Sequence, residues 1–258
     1  MMKGVFLLAI AGTICAASVT PALADEGSSL TATTGVDYSS GDYGTGIDTN
    51  ILVVPMSLRY KTGNLRLTAT LPWLRINGSS AIVGGGSGGI VINPNAPRST
   101  RSGLGDLTVG AAYMIPEDQL GFNLDLSARV KLPAASESKA LGTGKVDVTT
   151  SAEVSKTFGV LTPFVNVGYR MPGDPDGFEL HNAWTASGGV SVAAGKSVII
   201  ASYDYRESTS DLARDSHELF GAFSTPVAQK LTFTLYGTAG LSDGAPDYGV
   251  GSMVSIKF

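Results

Sequence analysis

Two histidines are the residues of this sequence that most directly suggest hydrolytic chemistry. His181 and His217 lie in different predicted hairpins, and a serine beside either imidazole could act as a nucleophile, as in serine hydrolases. Ser216 and Glu218 flank His217, but in a strand their side chains would point to the opposite face from the imidazole. No Ser-Asn-Gly segment follows His181. We therefore predict no catalytic residues and expect both histidines to make hydrogen bonds at the rim of the fold.

Two short loops resemble phosphate or metal sites. The run GTGKVD, Gly142–Asp147, lacks the earlier glycine of a phosphate loop and the hydroxyl residue that should follow Lys145. Asp174 and Asp176 in PGDPDG could begin a calcium loop, although no bidentate acid stands at the required distance. The single cysteine, Cys15, falls within the first 24 residues, so it offers no zinc site later in the chain. We expect turns at both loops, no metal and no cofactor.

One predicted strand carries closely spaced charged residues, which suggests a third kind of chemistry, ion pairing or ion binding. The stretch GFNLDLSARVKLP, Gly121–Pro133, alternates between apolar residues and polar ones that include Asp125, Arg129 and Lys131. Because successive side chains of a strand point to opposite faces, this segment has one apolar face and one strongly charged face. The function depends on which of the two faces points inward.

The first 24 residues predict a secretory signal peptide, with residues 25–258 forming one domain. Lys3 precedes the apolar run VFLLAIAGTICAASV, and the small-residue site Ala22–Ala24 stands just before Asp25. The net charge of -4 is too small to indicate nucleic-acid binding. No later segment approaches the run of about 18 apolar residues that a transmembrane helix requires.

Alternating segments recur along the rest of the chain and are separated by Gly, Pro, Asp, Asn and Ser. They predict twelve strands: 30–40, 49–61, 64–76, 104–115, 120–132, 145–158, 161–171, 182–194, 196–206, 216–227, 230–241 and 247–258. The connections after odd-numbered strands are long, whereas those after even-numbered strands are tight. All long loops therefore leave one end of the sheet, which is the plan of a bacterial outer-membrane barrel.

A soluble barrel or sandwich is the alternative, with the apolar parity facing inward. The signal peptide favours a membrane barrel, and so do strands close to the 9 to 11 residues that a tilted strand needs to cross hydrocarbon. Aromatic residues on the apolar parity also form two predicted girdles: Tyr60, Tyr113, Phe122 and Phe258 at the turn end, and Trp73, Tyr169, Trp184, Tyr205 and Tyr248 at the loop end. We predict an all-β, transmembrane, antiparallel up-and-down barrel of about twelve strands.

In a membrane barrel the charged parity lines the lumen. The predicted lumen-lining residues are Asp37, Arg59, Arg66, Asp106, Asp125, Arg129, Lys131, Asp147, Glu153, Arg170, Asp204 and Arg206. Their signs are mixed, whereas a strongly selective pore should have a ring of one sign. We expect ion pairs that partly fill the lumen around a narrow wet path. A dedicated charged binding site is the alternative.

The connection 77–103 is the longest and is unusually apolar. It carries Ile82, Val83, Ile90, Val91 and Ile92 among flexible glycines. An outside loop of this composition is unusual if it only contacts water. One hypothesis is that part of it folds back to form an apolar entry surface or constriction at the mouth. The other is a disordered surface loop.

Three stretches carry a family resemblance: RSGLGDLTVGAAYMI, RVKLPAASESKALGTGKVD and SKTFGVLTPFVNVGYRMPG. In order and spacing they resemble the barrel proteins of the phenol-degradation MetA-pathway family. Gly103–Asp106 matches the family's G-L-G-D strand start, and Lys131–Pro133 matches its K-x-P-x-G hairpin, except that Ala135 replaces the usual glycine. The resemblance implies outer-membrane uptake channels, some of them serving aromatic-degradation pathways, and it does not specify a substrate.

The last strand ends on Phe258, which resembles the signature that the barrel-assembly machinery recognises. An even strand count would place both termini in the periplasm. We expect a monomer in the outer membrane of a Gram-negative bacterium, in contact with lipid and lipopolysaccharide. Its expected work is passive uptake of small molecules, with hydrophobic or aromatic cargo favoured by the resemblance. A structural or adhesive barrel with a plugged lumen is the second hypothesis, and an enzyme the third.

Overall fold

The computed structural model describes residues 27–80, 82–83, 90–91 and 97–258. The strands are β1 (Ser29–Gly41), β2 (Thr49–Thr62), β3 (Leu65–Ser79), β4 (Ile82–Val83), β5 (Ile90–Val91), β6 (Arg98–Leu104), β7 (Leu107–Ile115), β8 (Asn123–Leu132), β9 (Asp147–Ser155), β10 (Leu161–Met171), β11 (Ala183–Ala194), β12 (Ser197–Arg206), β13 (Ser216–Ala228), β14 (Leu231–Gly240) and β15 (Tyr248–Lys257). Helix α1 (Glu117–Leu120) and a 3-10 turn (Glu137–Lys139) complete the described elements. In this part of the chain, no helix has the length and apolar character to cross a membrane. The predicted signal peptide lies outside the described residues.

The sheet closes into a barrel through its first and last strands. β15 pairs antiparallel with β1, from Thr31 opposite Lys257 to Ser40 opposite Tyr248. β6 and β7 both pair with β3 and together form one interrupted wall strand, so the described residues build twelve wall positions. Closure pairs the described wall strands on both sides, as a membrane-spanning sheet requires, except that β6, at the loop end, pairs with β3 alone. The prediction of a twelve-stranded antiparallel barrel is confirmed.

Most strand boundaries shift by one to three residues from the predicted ones, and two of the differences have a clear structural cause. β6 begins at Arg98 rather than near residue 104, because β3 continues to Ser79 and supplies a partner for the polar segment RSTRSG. That segment has no apolar alternation and therefore does not predict a strand. β8 begins at Asn123, because residues 117–120 form α1, which ends at Gly121 in the left-handed region with φ of 78°.

Short turns and long loops lie at opposite ends of the barrel. Gly63 and Gly195, with φ of 52° and 65°, occupy two-residue turns whose left-handed backbone favours glycine. The end that carries these turns is called the turn end below, and the opposite end is called the loop end.

The outer face is apolar and the inner face is polar. Neighbouring residues of β8 show the alternation, since Leu126 is 45% exposed on the outside whereas Asp125 is 9% exposed. Such an exposed apolar surface is what a barrel presents to lipid.

Several large side chains on the inner face pack over glycines of the adjacent strand. The rings of Tyr236 and Phe164 lie where a Cβ on Gly251 or Gly189 would stand. Glycine at those two positions therefore lets the rings lie flat against the wall.

Candidate functional site: the lumen

The lumen carries a group of ion pairs near the loop end of strands β7 to β10. Lys131 Nζ lies 3.4 Å from an Asp106 carboxylate oxygen and 3.2 Å from one of Asp147. Arg170 donates a 2.9 Å hydrogen bond to the other oxygen of Asp147, which is 4% exposed. Four predicted lumen residues are therefore joined into one network. Its central carboxylate is paired with two cations, an arrangement that compensates a buried charge.

A second polar group lies across β12, β13, β14 and β1. Arg206 donates to Glu218 at 2.6 Å, and the Tyr236 hydroxyl donates to Asp37 at 2.9 Å. Asp204 accepts from the Ser202 hydroxyl at 3.1 Å. Glu218 was not among the predicted lumen residues, although its alternation with the exposed outer residue Leu219 could have revealed it.

The other predicted residues surround a cavity in the turn-end half of the lumen. Arg59, Arg66, Arg129, Asp125 and Glu153 line it. The further lining residues are Thr68, Thr70, Thr108, Gly110, Ala111, Ala112, Ser127, Ser151 and Asn166. We call this cavity the turn-end chamber. Its volume of about 70 Å³ leaves room for about five water molecules.

The wall of the turn-end chamber is organised by side-chain pairs. Arg66 donates to Asp125 at 2.5 Å, and each side chain of this pair is nearly buried. The hydroxyls of Ser127 and Ser151 bond to each other at 2.7 Å. The amide oxygen of Asn166 is different, because it is buried and accepts no hydrogen bond from the residues that the structure describes.

Charge is separated along the barrel axis. The loop-end charges are defined as the acids Asp37, Asp106, Asp147, Asp204 and Glu218 together with the cations Arg101, Lys131, Arg170 and Arg206. At full ionisation the five acids outnumber the four cations. In the turn-end chamber three arginines outnumber two acids. The mixed signs read from the sequence therefore sort into an acidic half and a basic half once the fold is known.

An apolar cluster lies inside the barrel at the loop end. Ile51 and Val53 of β2 pack with Leu74 and Ile76 of β3, all on the inner face. Tyr43 and Leu141 join them from the β1–β2 and β8–β9 loops, and Ala135 and Ala213 pack against the group. We call these six large residues the mouth cluster. Its β2 residues could have been noticed in the sequence, because the run Ile51–Val54 is apolar on both parities.

The loop that carries Leu141 is fixed to the inside of the barrel. Asp106 accepts hydrogen bonds from the backbone N–H groups of Ala134 and Ala135, at 3.1 and 2.9 Å. Lys131 Nζ donates to Thr143 at 2.9 Å. Leu141 is consequently 1% exposed. The same charged residues that form the loop-end network thus hold an apolar side chain in the mouth.

The predicted mouth loop lies only partly within the described residues. Ile82 and Val83 pair with Val91 and Ile90 in the β4–β5 hairpin, and Val83 is buried. Ile92 lies outside the described residues. An apolar constriction formed by 77–103 stays a prediction, whereas the mouth cluster is built from other residues.

His217 and its neighbours make local hydrogen bonds. His217 Nδ1 and the Tyr203 hydroxyl are 2.5 Å apart, whereas the neighbouring Ser216 bonds to Arg206 and Glu218 on the opposite face of the strand. In the described part of the chain, no group of three His, Cys, Asp or Glu residues could hold a metal ion.

The two loops that resembled phosphate and calcium sites contact each other. Lys145 of GTGKVD lies 2.7 Å from Asp176 of PGDPDG. The ammonium group holds the pKa of Asp176 below its usual value through this hydrogen bond and its charge. The pair links two loops at the solvent-exposed rim.

The fold is shared with bacterial outer-membrane barrels of known structure. An outer membrane channel from Pseudomonas putida F1 aligns with a TM-score of 0.68 and 16% identity, covering 91% of this chain and 96% of that one. The translocator domain of the autotransporter NalP from Neisseria meningitidis aligns with a TM-score of 0.53 and 11% identity, covering 92% and 89%. The β domain of the Bordetella autotransporter BrkA gives 0.54 and 12%, covering 91% and 100%. At these identities the likeness establishes the fold alone.

Sequence comparison gives a family but no characterised relative. No curated protein matches the sequence. A family model described as "Putative MetA-pathway of phenol degradation" matches residues 23–258. That match spans the whole barrel and confirms the resemblance seen in the three stretches above. The chain belongs to the MetA-pathway of phenol degradation family.

Proposed function

We propose that this protein is an outer-membrane channel through which small molecules enter by passive diffusion. The observation that carries the proposal is the turn-end chamber, a polar cavity inside a closed barrel whose outer face is apolar. A barrel that served only as a lipid-embedded scaffold could fill this space with side chains. The ion pairs instead lie along the wall and leave room for water beside them: Lys131–Asp147 joins adjacent strands, and Arg66–Asp125 joins β3 to β8 across β7.

The proposed path runs from the loop end to the turn end. In this orientation the long loops face the outside of a Gram-negative cell, and the turns and both termini face the periplasm, as is usual for such barrels. Lipid and lipopolysaccharide would contact the outer face. The barrel-assembly machinery would recognise the last strand and Phe258, whose backbone N–H donates to Leu30 beside the β1–β15 seam. We expect the channel to act as a monomer.

Aromatic or otherwise hydrophobic molecules are the proposed cargo. The family description concerns phenol degradation. The mouth cluster places apolar side chains in the entry, among them Tyr43, Ile51 and Leu74. A small aromatic molecule could replace these contacts on its way in, whereas a hydrated ion would gain nothing from them. Cargo of this kind would then meet polar groups in the turn-end chamber.

A structural or adhesive barrel is the second candidate function. The mouth cluster favours it, because buried Leu141 and Ile76 pack together where a channel should be open. In this alternative the loops would do the work and the lumen would stay closed.

Reconstitution into lipid separates these two functions. Purified barrel in planar bilayers should give discrete conductance steps, and liposomes that contain it should swell faster than protein-free liposomes in a small polar solute such as an amino acid. Folding is checked by the shift in gel mobility on heating. A folded barrel that gives neither steps nor swelling would overturn the channel and favour the scaffold.

A further inference from the structure

We propose that the turn-end chamber is a binding site for a small organic carboxylate. This inference names a substrate class within the proposed channel and therefore rests on the proposed function. It comes from the charge of the chamber, from the buried amide oxygen of Asn166 in its wall, and from an apolar patch beside both.

The charge of the turn-end chamber favours one negative charge on a bound molecule. Arg66 and Asp125 form a pair at 2.5 Å. The remaining charged lining residues are Arg59, Arg129 and Glu153. Each of these three residues interacts with other groups of the protein. Their two positive charges and one negative charge leave a net charge of one positive in the chamber. A carboxylate would neutralise that excess, and guanidinium groups bind carboxylates through two parallel hydrogen bonds.

The wall also offers an acceptor for a hydroxyl group on the same molecule. Asn166 is 4% exposed, and its amide oxygen has no hydrogen-bond partner in the described parts of the chain. The lining hydroxyls of Ser127 and Ser151 bond to each other rather than to this oxygen. A buried carbonyl oxygen without a donor is unfavourable. A ligand hydroxyl that donates to Asn166 would remove this cost.

The surface between these polar groups suits a flat apolar body. Gly110 and Ala112 of β7 line the chamber without long side chains, and the Arg129 side chain lies over Gly110. A ring could lie against this patch while its carboxylate meets the arginines. An aromatic acid with a ring hydroxyl would satisfy all three features, and a neutral phenol would satisfy two.

Channel block tests the charge requirement. We expect benzoate, added on the turn-end side, to interrupt single-channel current at lower concentration than phenol. In the Arg59→Gln, Arg129→Gln double variant the blocking concentration of benzoate should rise roughly tenfold, as for the loss of a charge-assisted pair. Arg214→Gln, in an exposed loop, is the matched control, and benzoate should block it at the same concentration as the parent. Equal block of parent and double variant would overturn the site.

A structural readout keeps the test independent of conductance. Crystals soaked in 4-iodobenzoate should show anomalous density for iodine in the turn-end chamber, and crystals soaked in 4-iodophenol should show weaker density there. Iodine density found only elsewhere on the barrel would overturn the proposal.

The role of Asn166 is tested by channel block. Block by 4-hydroxybenzoate should exceed block by benzoate, and Asn166→Leu should abolish the difference. A difference that persists in Asn166→Leu would overturn the role of Asn166.

The two proposals fail in different ways. A barrel that conducts but neither binds 4-iodobenzoate nor is blocked by benzoate would overturn the carboxylate site and leave the channel standing. A barrel that binds 4-iodobenzoate in the turn-end chamber but never conducts would overturn passive uptake and leave the site.

Discussion

The two ends of the lumen are lined by the same strands but differ in packing and in charge. At the loop end, the mouth cluster fills the space and the acids outnumber the cations. At the turn end, the turn-end chamber holds space for water and arginines outnumber acids. The difference teaches that one wall can carry both a dry constriction and a wet binding surface, because alternate residues along each strand reach the lumen at different depths.

The largest expected effect follows from opening the loop end. Leu141→Ser removes the central loop residue of the mouth cluster, so single-channel conductance should rise several-fold, because a hydrophobic constriction limits passage by excluding water. Leu120→Ser, in α1 at the turn end, is the matched control and should leave the conductance unchanged. If Leu141→Ser conducts like the parent, the mouth cluster does not limit the path and the contrast between the two ends loses its functional meaning.

The next effect concerns the ion pairs that hold the loop in place. Asp147→Asn leaves Lys131 and Arg170 facing a neutral group, and breaking a buried pair in this way typically costs about 3–5 kcal/mol. The free energy of unfolding, measured by denaturant titration in lipid vesicles, should fall by that order. Asp176→Asn, in an exposed loop pair, should have no measurable effect. Equal stability of the two variants would show that the loop-end network does not stabilise the barrel.

Placing the same charge on the two faces of β8 gives a smaller difference. Leu126→Arg puts a cation on the outer face, which costs about 2–4 kcal/mol near the midplane of a bilayer. Ser127→Arg places the cation in the turn-end chamber, where it should narrow the path with little loss of stability. Denaturant titration and conductance measure the two outcomes. If Ser127→Arg lowered the free energy of unfolding more than Leu126→Arg, the apolar face would not be the one in contact with lipid.

The smallest expected effect is on ion selectivity. Arg59→Gln at the turn end should shift the reversal potential in a KCl gradient towards cation preference. Asp204→Asn at the loop end should shift it towards anion preference, since each variant removes one charge of the local excess. Both shifts should shrink at high salt because of screening. Shifts of the same sign would contradict an axial separation of charge.

Alternation and loop length were sufficient to predict the barrel from sequence. GFNLDLSARVKLP alternates over its whole length, and its parity could be oriented because Arg129 and Lys131 would be costly on the lipid face. Alternation does not predict strand β6, because RSTRSG has none and forms a strand only by pairing with the extended end of β3.

The candidate site was less predictable because it depends on contacts between distant segments. Parity indicated that Asp125 and Arg66 share a face, but not that they pair across 59 residues. The burial of Leu141 depends on Asp106 holding Ala134 and Ala135, which no local pattern encodes. The separation of acids from arginines required the height of each residue along the axis, which strand boundaries fix and composition does not.

The glycines beneath Tyr236 and Phe164 have a consequence for how the bore of this barrel could change. A methyl group on Gly251 would stand where the Tyr236 ring lies, so a one-carbon substitution there would displace a whole aromatic ring towards the centre, whereas one on Gly189 would also meet the backbone of Ala201. The inner diameter is thus set partly by residues that never touch the cargo. A relative could acquire a narrower passage by a single glycine replacement, with every lumen-facing charge left unchanged.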